Sequence, residues 1–533
     1  MTKTTISAMC FAFFAAWLHA TTLKLAPFYT DNMVLQRDKP IVFLGIAAPN
    51  STVGGTFMGK SADVQSDAGG KFKLILPAQT FSTLGTTATF TCGAETLSIT
   101  NVVVGDVWLC SGQSNMEWNM GGSSIVSSND IRAAYYPLIR RIKFAHVTAV
   151  DPIPFDQMKA EAWQPATPEC VVRWTAVGFY FTRALFFETK IPMGIIDCNW
   201  GGTRIEPWTP AEAFNAAPVY SNDCATIAKR YDLFKQNGAA EQKWLEKFKA
   251  MSADERKKVR KPTLPWDRQS PTALYNAMVD GMTPMPIKGA IWYQGESNSG
   301  DPIYDKHMEA MVAGWRKKWG YTFPFYFVQL ANFQDASDDP NNTGWGRVRQ
   351  LQLNALYTIP KAGMAVTIDI GEAKDIHPKN KIDVGDRLAR WALRDIYGQH
   401  DLIVSGPLFK SMKTENNTAV ISFQKGPRSG LTFQSLFSAR NRGYDLMVGK
   451  KEGTNRVEEV LTQQVSGFAV QDTEGKWTWA NAVISGDKVL VSHPEGKYPV
   501  AVRYGYQSNP KVNLYNKAGL PASPFTTEDT PQR

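Results

Sequence analysis

Between Val102 and about Gly398 the chain alternates short apolar runs with amphipathic stretches, and this alternation limits the possible folds more than any other feature. Apolar, β-branched runs suit strands covered on both faces. Strands that alternate with helices suit an α/β fold, a doubly wound parallel sheet with helices on both faces. Candidate strands are Val102–Leu109, Ile142–Val147, Met193–Asn199, Gly289–Tyr293, Phe325–Leu330 and Met364–Asp369, and candidate helices include Val177–Thr189 and Val384–Tyr397.

The flanks read differently. Short alternating strands divided by Gly, Pro, Asn and Asp fill residues 21–101, as in a β-sandwich-like domain, and β signals return over 401–520 as a C-terminal β domain. Whether Leu431 to Trp479 belongs wholly to that second module stays open. Residues 521–533 read as a frayed tail. With 102–400 as the α/β domain, this division agrees with the expectation of about three domains for a chain of 533 residues.

Residues 1–20 read as a secretory signal peptide. Lys3 precedes an apolar run from Ile6 to Leu18 that is too short to cross a bilayer comfortably, and Leu18-His19-Ala20 offers a cleavage site. Export would end in a periplasm, the medium or, in a eukaryote, a lysosome, with no membrane association after signal removal. Five cysteines remain beyond Cys10, so in a monomer at least one has no intramolecular partner. The net charge of +9 is concentrated between Lys229 and Lys261. Acidic residues interleave the basic ones there, which favours a solvated helix pair with Trp244, Leu245 and Phe248 turned inward over a nucleic-acid patch.

Chemistry is expected where the strands of the α/β region end, because ligands of open α/β sheets bind beyond the carboxyl ends of the strands. The first candidate strand runs into Ser111-Gly112-Gln113-Ser114-Asn115, which makes Ser114 a candidate nucleophile. A turn serine capping the next helix is the alternative. The third strand is followed by Trp200-Gly201-Gly202, whose glycines let the backbone approach a ligand. The fourth is followed by Gln294-Gly295-Glu296-Ser297-Asn298, which presents a carboxylate and an amide at the same edge. The sixth leads into Asp369-Ile370-Gly371-Glu372-Ala373-Lys374-Asp375-Ile376-His377. Of the five histidines beyond the signal, only His377 combines a nearby acid with such a position, so the other four, His146 among them, read as ordinary surface or core residues.

Taken in order, GDVWLCSGQSNMEW, NWGGTRIEPW, LYNAMVDGM, GAIWYQGESN and DIHPKNK resemble the sialate O-acetylesterase family of SGNH hydrolases. The likeness extends to DNMVLQRDKP and to GRVRQLQ, which holds Arg349 and Gln352. The resemblance implies an SGNH-type sheet and a serine esterase acting on acetylated sugars, without metal or organic cofactor. It assigns Ser114 as nucleophile and His377 as base. The oxyanion donors it implies are the Ser114 N–H, an N–H of Gly201 or Gly202, and the Asn298 amide. Gln113, Glu296, Arg349 and Gln352 are candidate substrate-binding residues, with Arg349 able either to hold a substrate carboxylate or to anchor a local ion pair. The wider pattern has an aspartate three residues before the histidine, where this chain has Lys374. The third catalytic member is expected to be Asp375, the nearest acid and on the same side as His377 if the segment is extended, with Glu372, Asp369 or a bare Ser-His dyad as alternatives.

The expected substrate is an acetylated sugar, most simply 9-O-acetyl sialic acid, with acetylxylan or another polysaccharide as the alternative. A non-catalytic carbohydrate-binding protein is the competing class, and the presence of both Ser114 and His377 in their motifs argues against it.

Overall fold

The computed structural model describes residues 23–259, 266–424, 446–452 and 456–528. The expected signal peptide lies outside the described residues, as does 431–445 of the stretch whose module was open.

One strand organises the molecule. Glu95–Gly112 runs for 18 residues, and its second half, from Val102 onward, is wholly buried. Its carboxyl half pairs in parallel with Met193–Asn199 on one side and Gly289–Tyr293 on the other. Tyr136–Lys143 lies beyond the first neighbour, and Phe325–Gln329 and Ala362–Val366 beyond the second. The strand order therefore reverses direction at the central strand, which makes its carboxyl end the topological switch point of the sheet.

Helices cover both faces. Ala176–Thr189 packs on Lys381–Asp395, and Tyr304–Trp319 packs on Gly346–Thr358. Under the central strand Trp108 is fully buried, edge-on to Phe181 at 4.8 Å and stacked on Tyr326 at 6.0 Å. Burying a side chain of this size stabilises the fold by roughly 3 kcal/mol.

The amino-terminal strands are continuous with this sheet. Residues Glu95–Val104 of the central strand pair antiparallel with Ser82–Cys92, which carries Thr52–Phe57 and Lys60–Gln65 in turn. A separate sheet of Lys24–Leu25, Ile41–Ile46 and Lys71–Leu76 packs against this extension, with Leu74 lying over Gly55. The boundary expected at 101 to 102 thus falls inside a strand: the apolar run from Val102 marks only where that strand becomes buried on both faces.

The second and sixth strands also differ from expectation at their ends. The second spans Tyr136–Lys143 rather than Ile142–Val147. Its start is hidden in the sequence because Arg140 and Arg141 interrupt the apolar run, although both are buried. Arg140 donates to the carbonyls of Asn32 and Asn101, and Arg141 pairs with Asp197 and Glu161. The sixth spans Ala362–Val366 rather than Met364–Asp369.

The basic segment forms one helix of 30 residues, Ser221–Ala250, followed by Ala253–Lys258. Trp244 and Phe248 stack on it at 5.3 Å, both half-buried. Among the described residues, three antiparallel sheets follow the α/β region. Residues 521–528 are not a frayed tail, because Phe525–Thr526 pairs with Ala501–Tyr504 and Phe525 is fully buried among Phe409, Phe423, Phe468 and Tyr504. All five described cysteines are free thiols. No helix among the described residues is long and apolar enough to cross a membrane.

Candidate active site

At the switch point the central strand ends on Gly112. Its φ of 134° and its fit against Tyr293 admit no side chain, since a Cβ there would lie 2.2 Å from the Tyr293 carbonyl oxygen. The Gln113 N–H donates to that same oxygen at 2.9 Å, and the helix Ser114–Glu117 starts at once. Gln113 occupies the N-cap and no side chain caps the helix, so Ser114 is not a capping serine. Ser114 is partly exposed between buried Gln113 and buried Asn115.

His377 reaches this helix from the loop after the sixth strand. Its ring stacks on Trp118, the residue that closes the Ser114 turn, at 4.7 Å and an interplanar angle of 15°. Asn115 ties the two segments together by donating to the Ile376 carbonyl at 3.0 Å. Among the described residues no hydrogen bond joins the Ser114 hydroxyl to the His377 ring.

Of the acids weighed as partners, Asp375 is the one beside the ring, with Oδ1 3.5 Å from His377 Nδ1 and 2.8 Å from the His377 N–H. Lys379 holds its other oxygen. Asp369 is instead in a bidentate pair with Arg387, at 2.6 and 2.8 Å. Glu372 accepts from the Lys379 N–H, and Lys374 pairs with Asp335 at the surface.

A buried polar cluster supports this loop. Asn115 donates to Glu296 Oε1 at 2.6 Å and accepts from Lys381 Nζ. Burial lowers the Lys381 pKa to about 7 and raises that of Glu296 above the usual carboxylate range. Glu296 is thus held by Asn115, beside Lys381, under the turn that carries Ser114.

Four residues expected to touch substrate or the oxyanion are bonded to the protein itself. Gln113 is buried and its Oε1 accepts from the Gly295 and Ser297 N–H groups. Gln352 accepts from Leu330 N and donates to the Gln294 and Val328 carbonyls. Arg349 is fully buried and donates to four backbone carbonyls, those of Leu330, Ala331, Gln507 and Ser508. Among the described residues it forms no ion pair, and its four bonds fasten the carboxyl-terminal sheets to the α/β region. Asn298 is fully buried and its amide donates to Glu206 at 3.0 Å and Asp301 at 3.3 Å. Both amide hydrogens have partners, so Asn298 is not an oxyanion donor in this arrangement. These residues share one cause: a buried polar side chain must satisfy its bonds, and here the nearest partners are backbone groups and carboxylates.

Glu206, Asp301 and His307 lie close enough to suggest a metal centre, with one ligand atom of each within 4.8 Å of the others. All three already have partners. His307 bridges Asp301 at 2.7 Å and Asp223 at 3.1 Å, Arg204 pairs with Glu206, and the Asn298 amide nitrogen, which cannot bind a metal, lies between the carboxylates.

Sequence reasoning missed one group at the site. His146 lies 3.0 Å from Glu117 and stacks on Trp200 at 4.4 Å, so it borders the Ser114 turn. Glu117 stood inside the GQSNMEW motif without a role. The only signal for either was position, Glu117 three residues after Ser114 and His146 just beyond a strand end.

Comparison with known proteins gives a consistent picture. The family model described as carbohydrate esterase, sialic acid-specific acetylesterase, matches residues 104–267 and 262–394. The chain is 33% identical to a carbohydrate acetylesterase from Xanthomonas citri of known structure, with a TM-score of 0.77, covering 96% of this chain and 100% of that one. It is 25% identical to the Homo sapiens sialate O-acetylesterase over 96% of this chain and 93% of that protein. The Mus musculus sialate O-acetylesterase is 27% identical over 72% of this chain and 76% of its own length.

Proposed function

The chain belongs to the sialic acid-specific acetylesterase family of carbohydrate esterases, and we propose that it removes O-acetyl groups from sugars through an acetyl-enzyme on Ser114. It is a carboxylic ester hydrolase of carbohydrates. One observation carries the serine reading: Ser114 is partly exposed at the switch point and shares its turn with the Trp118 face on which His377 stacks.

A serine esterase needs a base for the hydroxyl proton and donors for the developing oxyanion. Burial, reinforced by the Lys381 ammonium, holds the His377 pKa below its ordinary value, so the ring is unprotonated and able to accept at neutral pH. Ser114 Oγ attacks the acetyl carbonyl carbon as His377 takes its proton. The tetrahedral intermediate then collapses, and the sugar oxygen leaves with that proton. A water activated by His377 cleaves the acetyl ester, releasing acetate and restoring Ser114. Asp375 orients the ring, supported by its two contacts with His377. The donors are the Ser114 N–H and the Gly202 N–H, because the Gly201 N–H is taken up by Glu117 and the Asn298 amide by carboxylates.

The proposed substrate is an O-acetylated sialic acid, as the names of the mammalian relatives, sialate O-acetylesterases, suggest, with the 9-O-acetyl ester the one expected from the sequence. With Arg349 buried, an exposed cation next to the oxyanion turn is Arg268. Its guanidinium lies 3.7 Å from where a Cβ on Gly202 would be. Acetate release from 9-O-acetyl sialic acid and from acetylated xylan, measured side by side with Ser114→Ala as control, tests the reading. Preference for the sialic acid, with KM raised in Arg268→Ala for that substrate alone, supports it. Preference for xylan replaces the substrate, and turnover by Ser114→Ala removes the mechanism. Residues 1–20 serve as an export signal in this account; an amino terminus that still begins at Met1 on the secreted protein would remove that part.

A further inference from the structure

Beside Ser114, two side chains clasp the glycine turn. Glu117 is the last residue of the Ser114 helix, and its Oε2 accepts from the Gly201 N–H at 2.6 Å. Its Oε1 lies 3.0 Å from His146 Nε2. The same nitrogen is 3.0 Å from the Asn199 carbonyl oxygen. Both neighbours are acceptors, so Nε2 carries a proton and donates.

The ring of His146 lies flat on Trp200, the residue before Gly201, with an interplanar angle of 6°. Trp200 N–H donates to the Gly112 carbonyl at 3.1 Å, fastening the turn to the strand end that precedes Ser114. The turn is also tight against Ser114. A Cβ on Gly201 would lie 3.3 Å from Ser114 Cβ and 3.0 Å from Glu117 Oε2. On the far side, the Gln269 amide holds the Gly202 carbonyl at 2.6 Å. Gly202 has a φ of 70°, a conformation glycine adopts without strain.

We propose that Glu117 and His146 are positioning residues that hold the Gly201-Gly202 turn in register with Ser114, so that the Gly202 N–H meets the oxyanion. The inference rests on Ser114 as nucleophile. Its physical basis is that an oxyanion donor works only within about 2.7–3.1 Å of the oxygen, and a misplacement of about 1 Å costs on the order of a hundredfold in rate. Glu117 couples the turn to the same helix as the nucleophile, so both move as one unit. His146 fixes the carboxylate that makes the coupling.

The alternative is that this second histidine–carboxylate pair performs the proton transfer itself. The pair's bonds argue against it: the Nε2 proton is directed at Glu117 and at a carbonyl, and Glu117 faces a backbone N–H. The experiment compares Glu117→Ala, Glu117→Gln, His146→Phe and Ser114→Ala for kcat, KM, thermal midpoint and affinity for an alkyl boronic acid, which puts an oxygen where the oxyanion forms. Glu117→Ala is expected to lower kcat by about 10–100-fold with KM changed less than about threefold, and to weaken the boronate in parallel. Glu117→Gln, which keeps an acceptor for the Gly201 N–H, is expected between Ala and wild type. His146→Phe keeps the stack on Trp200 and loses the bond, and its loss is expected to be smaller than that of Glu117→Ala.

Wild-type kcat in both Glu117→Ala and His146→Phe would overturn the inference while an inactive Ser114→Ala left the nucleophile standing. Activity as low as that of Ser114→Ala in His146→Phe, or equal loss in Glu117→Gln and Glu117→Ala, would also overturn it, because either result would assign these groups to the chemistry. Turnover by Ser114→Ala would remove the nucleophile and this inference with it.

Discussion

Asn298→Ala separates a structural amide from a catalytic one. The wild-type side chain makes four bonds at a fully buried position. Its oxygen accepts from Ile205 N at 2.9 Å and Gln294 Nε2 at 2.7 Å, and its nitrogen donates to the Glu206 and Asp301 carboxylates. Each bond to a charged group contributes about 1.5–3 kcal/mol and each neutral one about 1 kcal/mol. Truncation also brings Glu206 and Asp301 face to face without the intervening donor. Allowing for water entering the vacated space, the expected loss is about 4 kcal/mol. At about 2 °C per kcal/mol for a domain of this size, the thermal midpoint falls by about 8 °C. The assay is a thermal melt paired with kcat measured well below both midpoints, where the expected change in kcat is less than about tenfold. An unshifted melt together with a kcat lowered about 10²–10³-fold, the effect of losing one oxyanion donor, would refute the reasoning and return Asn298 to the oxyanion site.

Four further outcomes are expected. His307 is buried, which alone would lower its pKa, but its bonds to Asp223 and Asp301 raise it to about 10. A folded pKa above the ordinary 6.5 stabilises fully below pH 6.5 and loses that contribution as pH rises through about 10, so the melting temperature should fall over that window in wild type and less in His307→Phe. Lys381→Met removes an ammonium that helps hold the His377 pKa down, so that pKa rises and the acid limb of the kcat/KM profile moves to higher pH; an unmoved limb would disconnect Lys381 from the base. Asp375→Asn should lower kcat by only about tenfold, since its contact with Nδ1 is long and its side chain is 37% exposed; a loss near 10⁴-fold would mean a tighter couple than the one seen. Arg349→Lys should lower the melting temperature and leave KM unchanged for the fraction that stays folded, whereas a KM effect confined to sialic acid esters would restore it as a substrate ligand.

Much of the sheet was legible because a parallel strand buried on both faces is a continuous apolar run. Met193–Asn199 and Gly289–Tyr293 coincide with their expected ends for that reason. Tyr136–Lys143 was displaced in the reading because its two arginines are buried only through partners far along the chain, among them Asp197 and Asn101. Ser114 could be located from an apolar run, a glycine and a polar turn. Glu117 and His146 could not, since their meeting depends on strand order: His146 follows a strand that lies two places from the one carrying Ser114. Arg349, Gln352, Gln113 and Asn298 were read toward the ligand because polar residues in a motif look functional. A sequence does not distinguish a polar group aimed at substrate from one aimed at a backbone carbonyl, and burial decides between them.

The most direct test of the central claim is to trap the acyl-enzyme. The purified protein is mixed with an activated acetyl ester, quenched in acid within one turnover, and its peptides are analysed by mass spectrometry. Acetyl is expected on the peptide carrying Ser114, and none on that peptide from Ser114→Ala. Acetyl on a different residue, or undiminished acetate release by Ser114→Ala, would contradict it.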